Sequence, residues 1–144
     1  MSAQKTRLYH RLQIAAHRMQ KAADRALIAA GGITTAQAAV LVIVAAQQPS
    51  AQRPIAQQLG LNESAMTAMM TRLERMKLLA RTPHTGDART WQVRLTAKGR
   101  TALARVRTPF DQINATIDAA LSGADLTRLA DELARLAAAF VAPA

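Results

Sequence analysis

The sequence predicts a mainly α-helical protein that carries one small β-hairpin. Stretches near both ends of the 144-residue chain have apolar residues at helical spacing, and two shorter helical patterns lie between residues 50 and 76. From Trp91 to Leu95 apolar and polar residues alternate, which is typical of a strand. Hydrophobic residues make up 50% of the chain and aromatic residues only 3%, which favours closely packed aliphatic helices. The length predicts one domain.

The first two predicted helices precede this central region. The first runs from Thr6 to Ala29 and ends before Gly31-Gly32. Its apolar residues are separated by four and three positions in turn, which is the spacing of a helix that packs along a seam. The second runs from Thr35, its predicted N-cap, to Gln48, and its apolar character predicts a buried position. The seam of the first helix consists of Leu8, Leu12, Ala15, Met19, Ala22 and Ala26.

Two short helices joined by a tight turn follow. Ser50 is the predicted N-cap of the first, and Pro54 lies in its first turn, where a missing N–H group costs little. Gly60 can adopt the left-handed conformation that ends a helix. Asn62 is the predicted N-cap of the second helix, and Glu63 lies favourably at its positive end.

The second of these short helices has two contrasting faces. One face carries methionine and leucine at helical spacing and is predicted to pack inward. The other is small, polar and almost free of acidic residues, as a helix that enters the major groove of DNA requires. The predicted inward residues are Met66, Met69, Met70 and Leu73, and the predicted outward residues are Ser64, Thr67, Ala68, Thr71 and Arg72.

A basic hairpin is predicted from Leu79 to Leu95, with its turn at residues 83–86. Arg89 lies near the tip, two residues after Asp87, whose carboxylate can hold the guanidinium in a bidentate pair. An arginine held in this way can enter a DNA minor groove, although the same residues also suit an ordinary surface hairpin with a peripheral ion pair. The helix pair before it favours the DNA-binding alternative, and the whole predicts a winged helix-turn-helix. Trp91, Val93 and Leu95 are predicted on one strand face, and Gln92 and Arg94 on the other.

The last two predicted helices carry long apolar stripes. The fifth begins near Thr96, and Pro109 is expected to interrupt and kink it. Ser122 and Asp125 form a start similar to a capping box for the sixth. These stripes can pack on their own domain, or they can interlock with those of a second copy of the chain. The sixth helix has Leu126, Leu129, Leu133, Leu136 and Phe140 on its stripe.

The net charge of +10 is unevenly distributed along the chain. Residues 53–107 hold eleven basic and three acidic residues, residues 1–52 have a net charge of +5, and residues 108–144 have a net charge of −3. This pattern indicates a face that binds a polyanion. Arginine outnumbers lysine fifteen to four, which favours contacts with phosphates and grooves. RNA-binding proteins can share this charge, but they more often show aromatic residues for base stacking.

The sequence offers no cluster for catalysis, so we expect no enzyme activity, no cofactor and no metal site. The absence of cysteine excludes disulfides, cysteine–zinc sites and thiol-based sensing. His10 and His17 are about 10 Å apart along the first helix, too far to share one metal ion. No apolar run approaches the roughly 20 residues of a membrane span, and no signal sequence is evident, so the expected location is the cytoplasm.

In their order and spacing these motifs resemble the MarR family of bacterial transcription regulators. The resemblance covers residues 34–99, about half of the chain. Two positions depart from the family pattern. Lys77 stands where the recognition helix, the second of the two short helices, usually ends in glycine. Ala68 stands where many relatives carry a larger polar or basic residue. The segments that carry the resemblance are residues 33–41, 55–61, 62–67 and 72–75, with Gly86-Asp87-Ala88-Arg89 and Leu95-Thr96-Ala97-Lys98-Gly99.

The resemblance implies a homodimer that binds a pseudo-palindromic site on double-stranded DNA and regulates transcription, usually as a repressor. It implies one domain over residues 1–144, with dimerisation helices at about 1–33 and 100–144 and a DNA-binding lobe at about 34–99. The predicted major-groove residues are Asn62, Ser64, Ala65, Thr67, Ala68, Thr71 and Arg72; Arg89, oriented by Asp87, is the minor-groove residue; and Arg53, Arg75, Lys77, Arg81 and Arg94 contact phosphates.

The resemblance also implies an effector pocket between the dimerisation helices and the DNA-binding lobe. The first, second and fifth helices would line it, and small alanine side chains would leave space for a ligand. The alternative function is a small-molecule-binding or protein-interaction module that keeps the fold without specific DNA binding. The predicted small residues are Ala15, Ala22, Ala38 and Ala39, and the predicted polar groups for an anionic aromatic effector are His10, His17 and Arg18.

Overall fold

The described part of the chain consists of six helices and a small antiparallel sheet. The computed structural model describes residues 7–47, 50–84 and 86–141, and for Ser50, His84 and residues 87–91 it describes the backbone alone. The predicted mainly α-helical fold with a hairpin is confirmed. The helices are α1 (Leu8–Gly31), α2 (Thr35–Ala46), α3 (Gln52–Leu59), α4 (Glu63–Arg75), α5 (Ala97–Ala120) and α6 (Gly123–Ala139), and the strands are β1 (Ser50–Ala51), β2 (Leu79–His84) and β3 (Asp87–Leu95).

The sheet has the strand order β1-β3-β2, so it contains a third strand beside the predicted hairpin. In the hairpin, Leu79 pairs with Leu95 and Arg81 pairs with Val93. The short strand β1 pairs with the other edge of β3. Val93 and Leu95 are buried, as the alternation predicted, whereas Arg94 is exposed. Strand β1 escaped prediction because two residues are too few to show an alternating pattern.

The start of α2 differs by one residue from the prediction. Thr34, and not Thr35, is the N-cap: the Thr34 hydroxyl accepts a hydrogen bond from Gln37 N at 3.2 Å, and Gln37 Oε1 accepts one from Thr34 N at 2.9 Å. Thr35 instead donates its backbone N–H and its hydroxyl to Asp24 Oδ1, at 2.8 and 2.7 Å. The prediction was wrong because a capping box requires Glu or Gln three residues later, and Gln37 satisfies this only for Thr34.

The predicted N-cap of the third helix was also wrong. Ser50 lies in β1, where it pairs with Val93, and α3 follows Ala51 without a side-chain cap. The reason is tertiary, because the sheet uses the backbone that precedes the helix. Pro54 lies in the first turn of α3, as expected.

The end of α1 and the course of α5 also differ from the predictions. Helix α1 extends to Gly31, and Gly32 then adopts the left-handed conformation with φ 71°. Helix α5 continues through Pro109, so the predicted interruption is wrong. A proline inside a helix removes one backbone hydrogen bond, and the turns on either side of this one remain helical. The predicted ends at Thr6 and Gln48 lie outside the described residues.

The chain divides into two compact units, Met1–Pro109 and Phe110–Ala144. The first unit contains the hydrophobic core, which draws on α1 to α4, the sheet and the first half of α5. A side chain at Gly31 would lie 2.6 Å from Val106 Cγ1, so glycine permits the close packing of α1 on α5. In the second unit, α6 has no buried residue. The largest fully buried core residues are Leu27, Ile33, Val40, Leu41, Val44, Ile55, Met66, Met70, Leu73 and Val93.

No single helix of the described residues is long and apolar enough to cross a membrane. Helices α1 and α2 pass that test only as a pair, and the pair is bent by 65° at its break.

Candidate nucleic-acid interface

Helix α4 is fixed at its start by a cap and along one face by the core. Asn62 is its N-cap, as predicted, and Asn62 Oδ1 accepts a hydrogen bond from Ala65 N at 2.8 Å. Met66, Met70 and Leu73 are buried, and Met69 is half-buried. The inward face therefore holds the helix in a defined rotation about its axis.

The opposite face of α4 is exposed along its whole length. Apart from Glu63 in the first turn, the exposed residues of this helix are neutral or basic. A face of hydroxyl groups, small side chains and guanidinium groups can approach the edges of base pairs without electrostatic repulsion. All the residues predicted for the major groove are exposed here: Asn62, Ser64, Ala65, Thr67, Ala68, Thr71 and Arg72.

The end of α4 is connected to the start of α5. Lys77 adopts the left-handed conformation with φ 62°, as expected for a residue in the place of the family's glycine. Lys98 Nζ donates a hydrogen bond to Met76 O at 3.0 Å, and Thr96 Oγ1 donates one to Lys77 O at 2.6 Å. A positive charge and a hydroxyl group thus bind carbonyls that the ending helix leaves free.

Gly99 is required at the same junction. A Cβ atom at this position would collide with the carbonyl oxygen of Leu78. Thr96 Oγ1 also accepts a hydrogen bond from Gly99 N at 3.0 Å, at the first turn of α5. The segment Leu95-Thr96-Ala97-Lys98-Gly99 therefore attaches the end of the recognition helix to a long helix.

Four of the five predicted phosphate contacts have exposed side chains. Arg53 lies in the first turn of α3, Arg75 and Lys77 lie at the end of α4, and Arg94 lies on β3. Their charges are accessible to a polyanion.

The fifth predicted phosphate contact, Arg81, is half-buried in a polar cluster that the sequence did not predict. Arg81 Nε forms an ion pair with Glu74 Oε1, and Arg81 NH1 donates a hydrogen bond to Gln52 Oε1 at 3.3 Å. Gln52 Nε2 in turn donates to Thr67 Oγ1 at 3.4 Å. The cluster joins β2, α3 and α4, and no local sequence pattern could reveal it, because Gln52 lies 15 residues from Thr67 and 29 from Arg81.

The wing residues Asp87 and Arg89 lie on β3 close to the hairpin turn. Their side chains are outside the described part of the structure, as is that of Trp91. The predicted bidentate pair and the insertion of Arg89 into a minor groove therefore stay predictions.

The predicted effector residues His10, His17 and Arg18 line one groove along α1. Its volume is about 670 Å³, and all of its lining residues belong to α1. The predicted contributions from the second and fifth helices are not seen there, and Ala38 is buried in the core instead of lining open space. Within the described ranges, no group of three or more His, Asp or Glu side chains is arranged to hold a metal ion.

Comparison with known proteins connects this geometry to a family. The MarR family model matches residues 33–91, which include the helix-turn-helix and most of the hairpin. No curated protein sequence matches the chain. Among solved structures, the transcriptional repressor CouR bound to a 23-mer DNA duplex is 29% identical, with a TM-score of 0.83 over 90% of this chain and 92% of that one.

Two further solved structures are similar over most of their length. The transcriptional regulator MOSR of M. tuberculosis, in complex with DNA, is 26% identical, with a TM-score of 0.76 over 92% of this chain and 96% of that one. The regulator PcaV from Streptomyces coelicolor, in complex with its natural ligand, is 27% identical, with a TM-score of 0.76 over 87% of this chain and 90% of that one. Residues 33–91 therefore match the MarR family, and the chain shares the winged helix-turn-helix fold of these regulators.

Proposed function

We propose that this chain is a sequence-specific DNA-binding transcription regulator that acts as a homodimer on a pseudo-palindromic operator and represses transcription. The observation that carries the proposal is the exposed face of α4. This face contains the residues expected to contact bases, and the buried face of the same helix fixes their direction. Relatives more than 25% identical to the chain include CouR and MOSR, which were both solved on DNA. Such a function places the protein in the cytoplasm.

The roles of the side chains follow from where each element lies. The polar and small residues of α4 contact base edges in the major groove, and arginines and lysine around it contact phosphates and set the register on the duplex. Arg89, with Asp87 beside it on β3, reaches the minor groove from the wing. The proposed phosphate contacts are Arg53, Arg75, Lys77, Arg81 and Arg94, of which Arg81 is half-buried.

The homodimer is inferred from a set of apolar side chains that are exposed to solvent in the single chain. On α6, Leu129 is 38% exposed, Leu133 43% and Leu136 37%. On α1, Leu8 and Met19 are also about half exposed, at 51% and 47%. Covering the remaining exposed part of each leucine would contribute roughly 0.6–1.2 kcal/mol, so covering several of them with a second copy is favourable. A twofold dimer then presents two α4 helices to half-sites about 10 base pairs apart.

The groove along α1 is proposed to bind a small anionic aromatic effector. His10, His17 and Arg18 supply hydrogen-bond donors and positive charge for a carboxylate, and Ile14 supplies an apolar surface. The relative PcaV was solved in complex with its natural ligand, and this supports a ligand site. An effector releases DNA only if it binds more tightly to a dimer whose two recognition helices no longer match successive major grooves.

The test is a gel-shift titration with DNA from upstream of the protein's own coding region. Coding DNA of equal length and composition is the control. We expect a discrete complex with the upstream fragment at concentrations far below those that bind the control. The logarithm of the binding constant should fall steeply with the logarithm of salt concentration, because several arginines per subunit release counterions. Equal affinity for both fragments would favour the alternative of a winged-helix module without specific DNA binding.

A further inference from the structure

The polar cluster beside α4 ends at a residue of the DNA-facing surface. Four side chains form a continuous chain of contacts: Glu74, Arg81, Gln52 and Thr67. Glu74 pairs with Arg81, Arg81 donates to the Gln52 carbonyl oxygen at 3.3 Å, and the Gln52 amide nitrogen donates to Thr67 Oγ1 at 3.4 Å. Thr67 is exposed, and Gln52 and Arg81 are half-buried behind it.

Arg81 determines which way the Gln52 amide points. A guanidinium can donate hydrogen bonds but cannot accept them, so Gln52 must turn its oxygen toward Arg81. The NH₂ group of Gln52 then faces Thr67. Arg81 is itself held by Glu74, whose Oε1 is shielded from solvent. The orientation of the Gln52 amide therefore follows from the positive charge of Arg81, which Glu74 holds in place.

The hydroxyl of Thr67 lacks the bond to its own helix that three other threonine hydroxyls of this chain make. Thr101, Thr116 and Thr127 each donate their hydroxyl to the carbonyl four residues earlier, at 3.0, 3.0 and 3.2 Å. Among the described residues Thr67 makes no such bond, and its hydrogen bond there is the one it accepts from Gln52. The proton of this hydroxyl is therefore available on the exposed face of α4.

We propose that Gln52 is a specificity-determining residue that favours the Thr67 hydroxyl as a hydrogen-bond donor toward DNA, because its amide occupies one of the two lone pairs of that hydroxyl. The base edge opposite Thr67 should then carry an acceptor in the major groove. Guanine O6 and N7, adenine N7 and thymine O4 are such acceptors, whereas cytosine N4 and adenine N6 are donors. This inference rests on the proposed function, because it concerns one position of a DNA half-site.

The variant Gln52→Glu should reverse this polarity. A carboxylate has only acceptor atoms, so it keeps the contact with Arg81 and takes the proton of the Thr67 hydroxyl as a hydrogen bond. The lone pairs of Thr67 then face the DNA. We expect the preference at one position of each half-site to change from guanine or thymine, which present only acceptors, to cytosine, which presents only a donor, by about three- to tenfold in affinity for one hydrogen bond. Adenine, which presents both, should change least.

The experiment uses the full chain and needs no known operator. Bound sequences are selected from a random duplex library, and affinities are then measured for the four base pairs at each half-site position. Gln57→Glu is the matched control, because it adds the same charge to an exposed side chain of the same helix. Thr67→Val removes the hydroxyl and keeps the shape, so it should flatten the preference at this position and abolish the effect of Gln52→Glu.

The outcomes separate this inference from the proposed function. If the wild-type chain selects no sequence, specific DNA binding itself fails. If the wild type selects a site and Gln52→Glu shows an unchanged preference at every position, the inference is wrong. An identical change with Gln57→Glu would also overturn it, because added charge alone would then be the cause. If Gln52→Glu does not fold, as measured by circular dichroism, full retention of the base preference by Thr67→Val contradicts the inference independently.

Discussion

Helices α4 and α6 each carry an apolar stripe, but a single chain covers only the stripe of α4. Met66, Met70 and Leu73 are at most 1% exposed, whereas Leu129 and Leu133 on α6 are 38% and 43% exposed. In the sequence the two stripes look equivalent, because both follow helical spacing. The difference shows that amphipathic spacing identifies a face to be covered, and does not identify what covers it.

The polar faces of the same two helices also differ. The exposed face of α4 is neutral or basic beyond its first turn. The surface of α6 includes an Arg128–Glu132 ion pair at 3.2 Å, and residues 108–144 have a net charge of −3. A polyanion is therefore attracted to α4 and not to α6. We therefore assign DNA to α4 and a second copy of the chain to α6.

The largest expected effect comes from a charge on the α6 stripe. The double variant Leu129→Asp, Leu133→Asp should dissociate the dimer and lower DNA affinity by roughly 100-fold or more, because unpaired carboxylates cannot be buried at low cost. Sedimentation velocity and circular dichroism measure assembly and fold. Ala138→Asp is the control and should remain dimeric. Ala138 is exposed and lies on the opposite side of α6 from Leu129. A double variant that stays dimeric would contradict the proposal that a second copy of the chain covers the stripe of α6.

The next effect concerns the covered stripe. Leu73→Ala should lower the free energy of unfolding by about 2–5 kcal/mol, because it leaves a cavity in a core that one chain completes. Urea unfolding measures this loss. Met69→Ala, on the same helix but half-buried, should cost less. A greater loss for Met69→Ala would contradict the assignment of the inner face.

A smaller effect is expected on the wing. Arg89→Ala should weaken DNA binding by about 1–3 kcal/mol, the scale of a good groove contact, and leave dimerisation unchanged. Asp87→Ala should act in the same direction but more weakly, by freeing the arginine. Fluorescence anisotropy at moderate salt measures both. Arg128→Ala on α6 is the control for loss of an exposed arginine, and an equal effect there would refute a specific role for Arg89.

The smallest effect tests the end of α4. Lys77→Gly should raise the free energy of unfolding by about 0.5–1 kcal/mol, because glycine adopts φ 62° without the steric cost of a side chain. Thermal unfolding gives the difference. Lys77→Ala removes the same charge and keeps the steric cost, so it should give no gain. An equal gain from both variants would show that charge, and not conformation, limits the stability of this turn.

Local patterns were sufficient to predict much of this fold and part of the site. The N-cap Asn62 and the inward methionines of α4 depend on residues within one or two helical turns, whereas the left-handed Lys77 was indicated only by the family's glycine at that place. The exposed face of α4 follows from the same spacing. The cap and the two faces of α4 could be predicted because their physical causes lie in neighbouring residues.

The remaining features depend on contacts between distant parts of the chain. Ser50 joins a strand because β3 lies beside it, and Thr35 binds Asp24 eleven residues earlier. Arg81, a predicted phosphate contact, also pairs with Glu74 and Gln52, and these partners were not predicted. Sequence spacing cannot rank such partners, since an exposed arginine and a half-buried one have the same local pattern.

The central claim is that a second copy covers the stripe of α6 and thereby places two α4 helices on one duplex. Sedimentation equilibrium of the wild-type chain at micromolar concentration, alone and with a duplex obtained by selection, tests this claim most directly. We expect a dimer in the absence of DNA and two chains on each duplex. A monomer in solution that binds the duplex one chain at a time would contradict the account.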